Sequence, residues 1–360
     1  MSDRPDQSLV LAQLEDALRK NWRLGQNMIL CWAPHPAGVL TLSAPHYFLG
    51  NLTARAHASG EADDTEQFVR DVIGTSHQTT EETLLSISER LGVSTNFTKL
   101  DAPLIGEEAL AQADQIVRRF GIGFVPSRGV ILFDIAEFSL YAPFEQASQL
   151  NSLSYSMNSA YTKLQRLGIE VNFARTTTGD GYYVWNRDLG PFPNFDLLTF
   201  LILVLIDNAV ARREASGNTV PLIRTGFHVG SHYELFQAEG VDPTLYSYIV
   251  GDVTITLARM LEEASAGQIL MGDFLVQLPD ADESVGPRQL VESVLGEIAD
   301  LKSLKIGDYV IGRINQHWSG MDDDRASHIF VDKHGQDVRV ASLELEVALG
   351  SDTLRLGAPF

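Results

Sequence analysis

Two aspartates sit where strand-forming residues should not carry charge. ILFDIAEFS (Ile131–Ser139) sets Asp134 near the end of an apolar run, and TTTGDGYYV (Thr176–Val184) sets Asp180 between two glycines, before an aromatic and β-branched run. A carboxylate beside a buried strand is costly unless it is paired or binds a cation. Two of them at strand ends suit Mg²⁺, a hard cation that takes oxygen ligands and keeps positions open for substrate phosphates. Backbone N–H groups where the chain leaves the first strand can cradle phosphate oxygens. The helical stretch GDVTITLARMLEEAS (Gly251–Ser265) adds Arg259, with Leu257, Met260 and Leu261 available for the core, so the guanidinium can clamp a phosphate. Taken singly, each residue has a plainer role. Asp134 can cap a loop, Asp180 can be a turn residue, and Arg259 can pair with Glu262 or Glu263.

The elements that must position these groups follow from hydrophobic pattern. Strands are predicted over Gly129–Ile135, Glu170–Arg175, Gly181–Trp185, within Pro221–Phe236 and over Gly267–Met271. Helices are predicted over Phe144–Leu167, Asp196–Ala215 and Asp252–Ser265. The order β-α-β-β-α-β suggests a split βαβ core. In it the first strand lies beside the turn Thr177–Asp180, so Asp134 and Asp180 can meet within roughly 4–6 Å and share a two-metal site. Upstream, helices are expected over residues 6–22, from Thr80 to a stop at Gly92, and over 106–119; residues 27–52 read as mixed and loop-rich, and EADDTEQ (Glu61–Gln67) as a solvated acidic face. GIGFVPSRG (Gly121–Gly129) marks a boundary. The division expected is 1–122 as a regulatory or dimerisation region, 127–318 as the core domain, and 319–360 as a β-hairpin-like extension around Lys333-His334-Gly335.

Composition narrows the function classes. The chain has 360 residues, 44% of them hydrophobic, and a formal net charge of −20, which argues against a nucleic-acid grip. Cys31 is the only cysteine, so no internal disulfide forms, and a reducing, cytoplasmic setting is expected. The start MSDRPDQSLV lacks the features of a signal peptide, and LLTFLILVLI (Leu197–Ile206) is too short to span a bilayer, so no membrane association is expected. His35, His46, His57 and His77 with Cys31 match no zinc spacing.

Several blocks, in order, resemble class III nucleotidyl cyclases, the adenylate and guanylate cyclase family. FDIAEFS is similar to the family's first metal motif and TTTGDGYYV to its Thr-x-Gly-Asp turn; IRTGFHVGSHYELF (Ile223–Phe236) resembles its Arg-x-Gly-x-His-x-Gly strand. YIVGDVTITLARMLEEASAGQILMGD (Tyr248–Asp273) resembles its Gly-Asp helix with a following arginine, and ADLKSLKIGDYVI (Ala299–Ile311) its late lysine strand. The resemblance implies an α+β, ferredoxin-like βαββαβ catalytic domain, preceded here by a mixed, mainly helical N-terminal domain. It implies a head-to-tail homodimer, and two Mg²⁺ or Mn²⁺ ions per site on Asp134 and Asp180, with the Ile135 carbonyl assisting. It implies a nucleoside triphosphate substrate near Phe138, Ser139 and Lys305, closed to a 3′,5′-cyclic nucleotide with loss of pyrophosphate. Arg259, from the partner chain, would meet the charge that develops on phosphate.

The pattern also breaks. Where the family has a ribose-positioning asparagine this chain has Ile255, which cannot hydrogen-bond; Thr256 is the nearest hydroxyl on that side of the helix. The base-reading positions hold Thr176 and Tyr248, and the usual small residue after Asp-Ile-x is Glu137. Two readings follow: a cyclase with altered base choice, or a catalytically inactive cyclase-like module that binds a nucleotide or a protein partner.

Overall fold

A computed structural model of the chain describes residues 6–22, 27–60, 62–74, 76–239, 244–279, 283–300, 305–332 and 335–358. The residues Met1–Pro5 of the N-terminal stretch, Glu61, Leu301–Leu304 and the Lys333-His334 pair, all used in the sequence reading, lie outside them. The protein is mixed α+β and divides into two units, Met1–Pro126 with His232–Val250, and Ser127–Ser231 with Gly251–Phe360.

The first unit contains α1 (Gln7–Trp22), β1 (Asn27–His35), β2 (Gly38–Pro45), α2 (Phe48–Ser59), α3 (Ala62–Val72), α4 (Glu81–Leu91), β3 (Thr95–Lys99) and α5 (Glu107–Arg118). The stretch expected to be loop-rich is a hairpin: β1 and β2 pair antiparallel from Asn27↔Pro45 to His35↔Gly38, and β3 joins at the far side of β2. The reason is burial on both faces. Val10, Leu14 and Leu18 of α1 and Val117 of α5 pack with Trp32 and Val39, while Val69, Ile73 and Leu84 pack with Leu30, Leu42 and Ala44. A strand covered on both sides is continuously apolar and shows no alternation, so MILCWA conceals its period. The α4 ends follow their sequence signals: the Thr80 hydroxyl accepts from the Thr83 N–H, and Gly92 closes the helix at φ 65°.

The second unit begins within β4 (Ile122–Ile135) and continues through α6 (Pro143–Arg166), β5 (Phe173–Thr177), β6 (Gly181–Asn186), α7 (Pro191–Glu214) and β7 (Ile223–Glu239). After β8 (Thr244–Val250), which belongs to the first unit, come α8 (Asp252–Glu263), β9 (Ile269–Gly272), β10 (Val276–Gln277), β11 (Ser284–Val285) and α9 (Pro287–Asp300). The last elements are β12 (Lys305–Ile306), β13 (Tyr309–Ser319), β14 (Met321–Asp322), β15 (Arg325–Ala326), β16 (His328–Val331), β17 (Asp337–Leu349) and β18 (Asp352–Leu356). The main sheet runs β12-β13-β17-β9-β7-β4-β6-β5, so β4 has β6 and β7 as neighbours. Residues 319–360, expected as a hairpin-like extension, instead send β17 into the sheet between β13 and β9.

Alternation along β7 assigns its two faces. Ile223, Phe227 and Val229 enter the core with Ile131 and Phe133 of β4, Leu153 and Met157 of α6, and most of α7. Helix α7 touches both α6 and α9, which explains why it is apolar all round. Phe192–Glu214 is long and apolar enough to cross a bilayer, longer than the ten-residue run suggests, but 78% of its apolar window is buried in the protein, as in a core helix. The opposite β7 face carries Arg224, Gly226, His228 and Gly230. Helix α8 packs against this face. A Cβ on Gly226 would stand 3.0 Å from Leu257 Cδ2, and one on Gly230 would stand 3.2 Å from Val253 Cβ, so the strand's glycines let the helix settle close.

His228 lies between those glycines with its Nδ1 enclosed and its ring 6.2 Å from that of Phe274. Desolvation lowers its pKa from 6.5 to about 4, only partly opposed by Asp273. The unfolded chain therefore binds the extra proton first, and stability falls as pH drops from about 6.5 to about 4, by at most about 3 kcal/mol. Asp196 has the opposite sign. Burial, then Glu297 and Asp188, raise it to about 6, so its contribution is present below about pH 4 and is lost as pH rises through about 6. Denaturant unfolding of wild type, His228→Asn and Asp196→Asn between pH 4 and 7.5 checks both. The histidine variant should lose the acid-side decline, and the aspartate variant should show a steeper one.

Candidate active site

Asp134 and Asp180 come together because β4 and β6 are adjacent and in register. Asp134 pairs with Gly181, and the Ile135 N–H donates to the Asp180 carbonyl at 2.9 Å. Residue 181 has to be glycine, since a Cβ there would sit 1.9 Å from the Phe133 carbonyl oxygen. The turn before it is held by the Thr178 hydroxyl donating to Asp180 Oδ1 at 3.2 Å and by the Gly179 N–H donating to the Thr177 hydroxyl at 3.1 Å.

The electrostatics show that the aspartates sense each other. Burial pushes the Asp134 carboxyl above its usual value; the Arg224 guanidinium pulls it down, and Asp180 pushes it up again. Arg224 Nε donates to Asp134 Oδ2 at 2.5 Å, and its Nη1 donates to the Ala264 carbonyl, at the end of α8, at 3.2 Å. In sequence Arg224 stands only as the first residue of the Arg-x-Gly-x-His-x-Gly stretch, with no partner marked. The signal available was alternation, which puts it on the β7 face that meets α8, on the strand next to β4.

After Ile135 the chain turns sharply. Glu137 takes a left-handed conformation (φ 57°, ψ 24°), and Phe138–Leu140 form a 3₁₀ turn. The Ala136 N–H donates to the Leu222 carbonyl and the Leu140 N–H to the Glu137 carbonyl, both at 2.9 Å. Among the described residues, no backbone bond takes up the amides of Glu137, Phe138 and Ser139. Successive amides about a left-handed residue form a concave nest that suits an anion. These three amides are the ones left without a backbone acceptor where the chain leaves β4. Two carboxylates at one strand end are oxygen donors of the kind a hard cation takes; among the described residues, no group of three or more acidic, histidine or cysteine side chains is placed to hold a metal.

The other expected residues are dispersed. Thr176 is on β5, opposite Tyr183 of β6. The Tyr183 hydroxyl donates to the Thr254 carbonyl at 3.1 Å, tying β6 to the first turn of α8. Thr256 is half-buried and Ile255 is 47% exposed on that helix. Arg259 Nε lies 2.6 Å from Oδ2 of Asp332, whose side chain is buried. Asp332 is a site neighbour that the sequence reading did not include, a carboxylate at a turn 73 residues away with no local pattern to mark it. Lys305 is exposed on β12, the edge strand at the other end of the sheet from β5, and is not brought to the aspartates within this chain. Tyr248 lies on β8, in the first unit.

No family model matches the chain, and no curated protein does. Solved structures similar to it include the guanylate cyclase domain of RhGC from Catenaria anguillulae in complex with GTP, at 16% identity, covering 63% of this chain and 98% of that one, with a TM-score of 0.37. The adenylyl cyclase CyaB from P. aeruginosa matches at 14% identity over 62% of this chain and 95% of its own, also at 0.37. The guanylyl cyclase Cya2 matches at 10% identity over 64% and 97%, at 0.36. Likeness at this level does not establish function, which has to be read from the residues of this chain.

The left-handed Glu137 is a non-glycine residue holding a conformation that glycine adopts freely. Glu137→Gly should raise unfolding free energy by about 1 kcal/mol. Urea denaturation monitored by circular dichroism would measure it as a higher midpoint with an unchanged slope.

Proposed function

We propose that this chain is a divergent class III nucleotidyl cyclase that converts a nucleoside triphosphate to a 3′,5′-cyclic nucleotide and pyrophosphate in signalling. The observation that carries the reading is the meeting of Asp134 and Asp180 beside the amide nest of residues 137–139. Two acceptors for a hard cation next to three donors for an anion are what a metal-bound polyphosphate requires.

In this reading Asp134, the Ile135 carbonyl and Asp180 would hold Mg²⁺ or Mn²⁺, with Arg224 keeping Asp134 ionised and oriented through Oδ2. When bound, such ions would neutralise phosphate charge and align the attacking and leaving oxygens. The amides of Glu137, Phe138 and Ser139 would bind phosphate oxygens. The substrate's 3′-hydroxyl would give its proton to solvent water and attack the α-phosphorus, and the bond to the β-phosphate oxygen would break as pyrophosphate leaves from the opposite side. Arg259, with Thr256 on the preceding turn, would act at a site completed by a second copy of the chain, in a ferredoxin-like βαββαβ domain that pairs head to tail. The exposure of Leu140 (77%), Phe144 (84%) and Ile255 (47%) supports a covered interface near the nest and on α8. Lys305, at the far sheet edge, would likewise reach phosphate only across such a pair. Thr176 and Tyr248 would read the base through hydroxyls that both donate and accept, giving loose base choice.

The second reading, an inactive module that binds nucleotide or protein, is favoured by Ile255, which offers the ribose no hydrogen bond, and by Arg259 being engaged by Asp332. Incubation with Mn²⁺ and each of ATP, GTP, CTP and UTP decides between them. Cyclic product with pyrophosphate supports the enzyme, and binding without product supports the module. For the enzyme, Asp134→Ala should abolish turnover with the fold retained, and Ile255→Asn should raise it by improving orientation of the attacking hydroxyl.

Assembly is tested separately. Asp180→Ala and Arg259→Ala chains, each inactive alone, should recover part of the activity when mixed into dimers; proven mixed dimers without activity would count against a shared site. Metal affinity should also depend on pH. Because burial raises the Asp134 carboxyl, Mn²⁺ should raise the melting temperature more at pH 8 than at pH 5, and Asp134→Asn should remove the difference.

A further inference from the structure

The second unit contains a cavity of about 530 Å³, apart from the aspartate pair, between the C-terminal end of α7, the start of α6 and β18. Its size is that of a small-molecule site. The walls mix apolar side chains, Leu205, Ile223, Ile269 and Leu356 among them, with polar ones. Three lining side chains, Arg212, Arg213 and Arg355, are cationic and none is acidic, although the whole chain carries a net charge of −20. Two of the arginines are tethered without being withdrawn. Arg213 Nη2 donates to the Thr353 carbonyl at 2.8 Å, and Arg355 reaches Glu346 at 3.6 Å while staying 80% exposed.

Two buried amides stand in its wall. Gln149 is 1% exposed and Asn208 4%, and both line the cavity. Their NH₂ groups are used: Gln149 Nε2 donates to the Asn218 carbonyl and Asn208 Nδ2 to the Pro221 carbonyl, each at 3.0 Å. Those bonds fix the amide orientation and leave Gln149 Oε1 and Asn208 Oδ1 buried without a donor among the described residues. Both oxygens are closed off from the cavity itself, so the two amides brace its wall rather than offer acceptors to a ligand.

We propose that this cavity binds a small organic anion: a compact body for the cavity, and a carboxylate, sulfonate or phosphate for the arginines. The walls take part of the body out of water, and the arginines set the polarity of entry. The site stands whether or not the chain turns over a nucleotide.

A suitable probe is 8-anilinonaphthalene-1-sulfonate, which has an aromatic body, one N–H and one sulfonate. Fluorescence titration of the full-length protein should show saturable binding at one equivalent per chain. Its uncharged analogue N-phenyl-1-naphthylamine should bind about ten-fold more weakly, the loss expected for one charge-assisted contact. The double variant Arg212→Gln/Arg355→Gln, changed only at exposed side chains, should weaken the sulfonate about ten-fold and leave the uncharged dye unaffected. Val220→Trp, at a half-buried lining position, should block both dyes. Absence of one-to-one saturable binding overturns the proposal. So does sulfonate binding unchanged in the arginine variant when circular dichroism shows its fold retained, and so does equal affinity for the two dyes in wild type.

Discussion

The bond from Arg224 to Asp134 is the contact on which the candidate site depends. A carboxylate at the end of a core strand is desolvated, and desolvation acts to protonate it. Arg224 opposes that by placing a guanidinium on one carboxylate oxygen, which leaves the other for a ligand. The same guanidinium donates to the Ala264 carbonyl at the end of α8, where the helix carries partial negative charge. One side chain thus serves a carboxylate and a helix end, and it ties the strand that carries the site to the helix that covers the neighbouring strand.

The position of that helix depends on small residues rather than on polar contacts. Gly226 and Gly230 let Val253 and Leu257 approach β7 at van der Waals distance. A larger residue at either position would lift α8 and lengthen the Arg224–Ala264 contact. Tyr183 holds the other end of the helix through the Thr254 carbonyl. Both ends of α8 are therefore referred to strands adjacent to Asp134, and Arg259, midway along it, inherits that position.

How much of this was legible in the sequence depended on whether the signal was local. Asp134, Asp180 and their glycine neighbours stand in short stretches whose strand–turn pattern can be read directly, and their meeting follows from strand order. Helix α4 could be read because Thr80 and Gly92 announce its ends. The β1–β2 hairpin could not, because helices cover both its faces and suppress the alternation. Arg224 was legible in period but not in partner, since the charge it neutralises lies 90 residues earlier. Asp332 carried no signal at all: its contact with Arg259 is made by a turn that only the folded sheet brings near. Three-residue features such as the left-handed Glu137 are hidden for another reason, because a glutamate gives no hint that its position suits glycine.

The place of β17 has a consequence for how the chain is made. Residues 337–349 emerge after both β9 and β13, yet they fill the gap between them. Until they arrive, both of those strands present unpaired edges, which invite pairing with other chains. The sheet therefore cannot close progressively behind the ribosome; its middle is completed last, by contacts of long sequence separation that form slowly. A fragment ending near residue 318 would retain both aspartates and the arginine but would lack the strand that joins the two parts of the sheet. Its insolubility would reflect an open edge and would say nothing about the chemistry of the site.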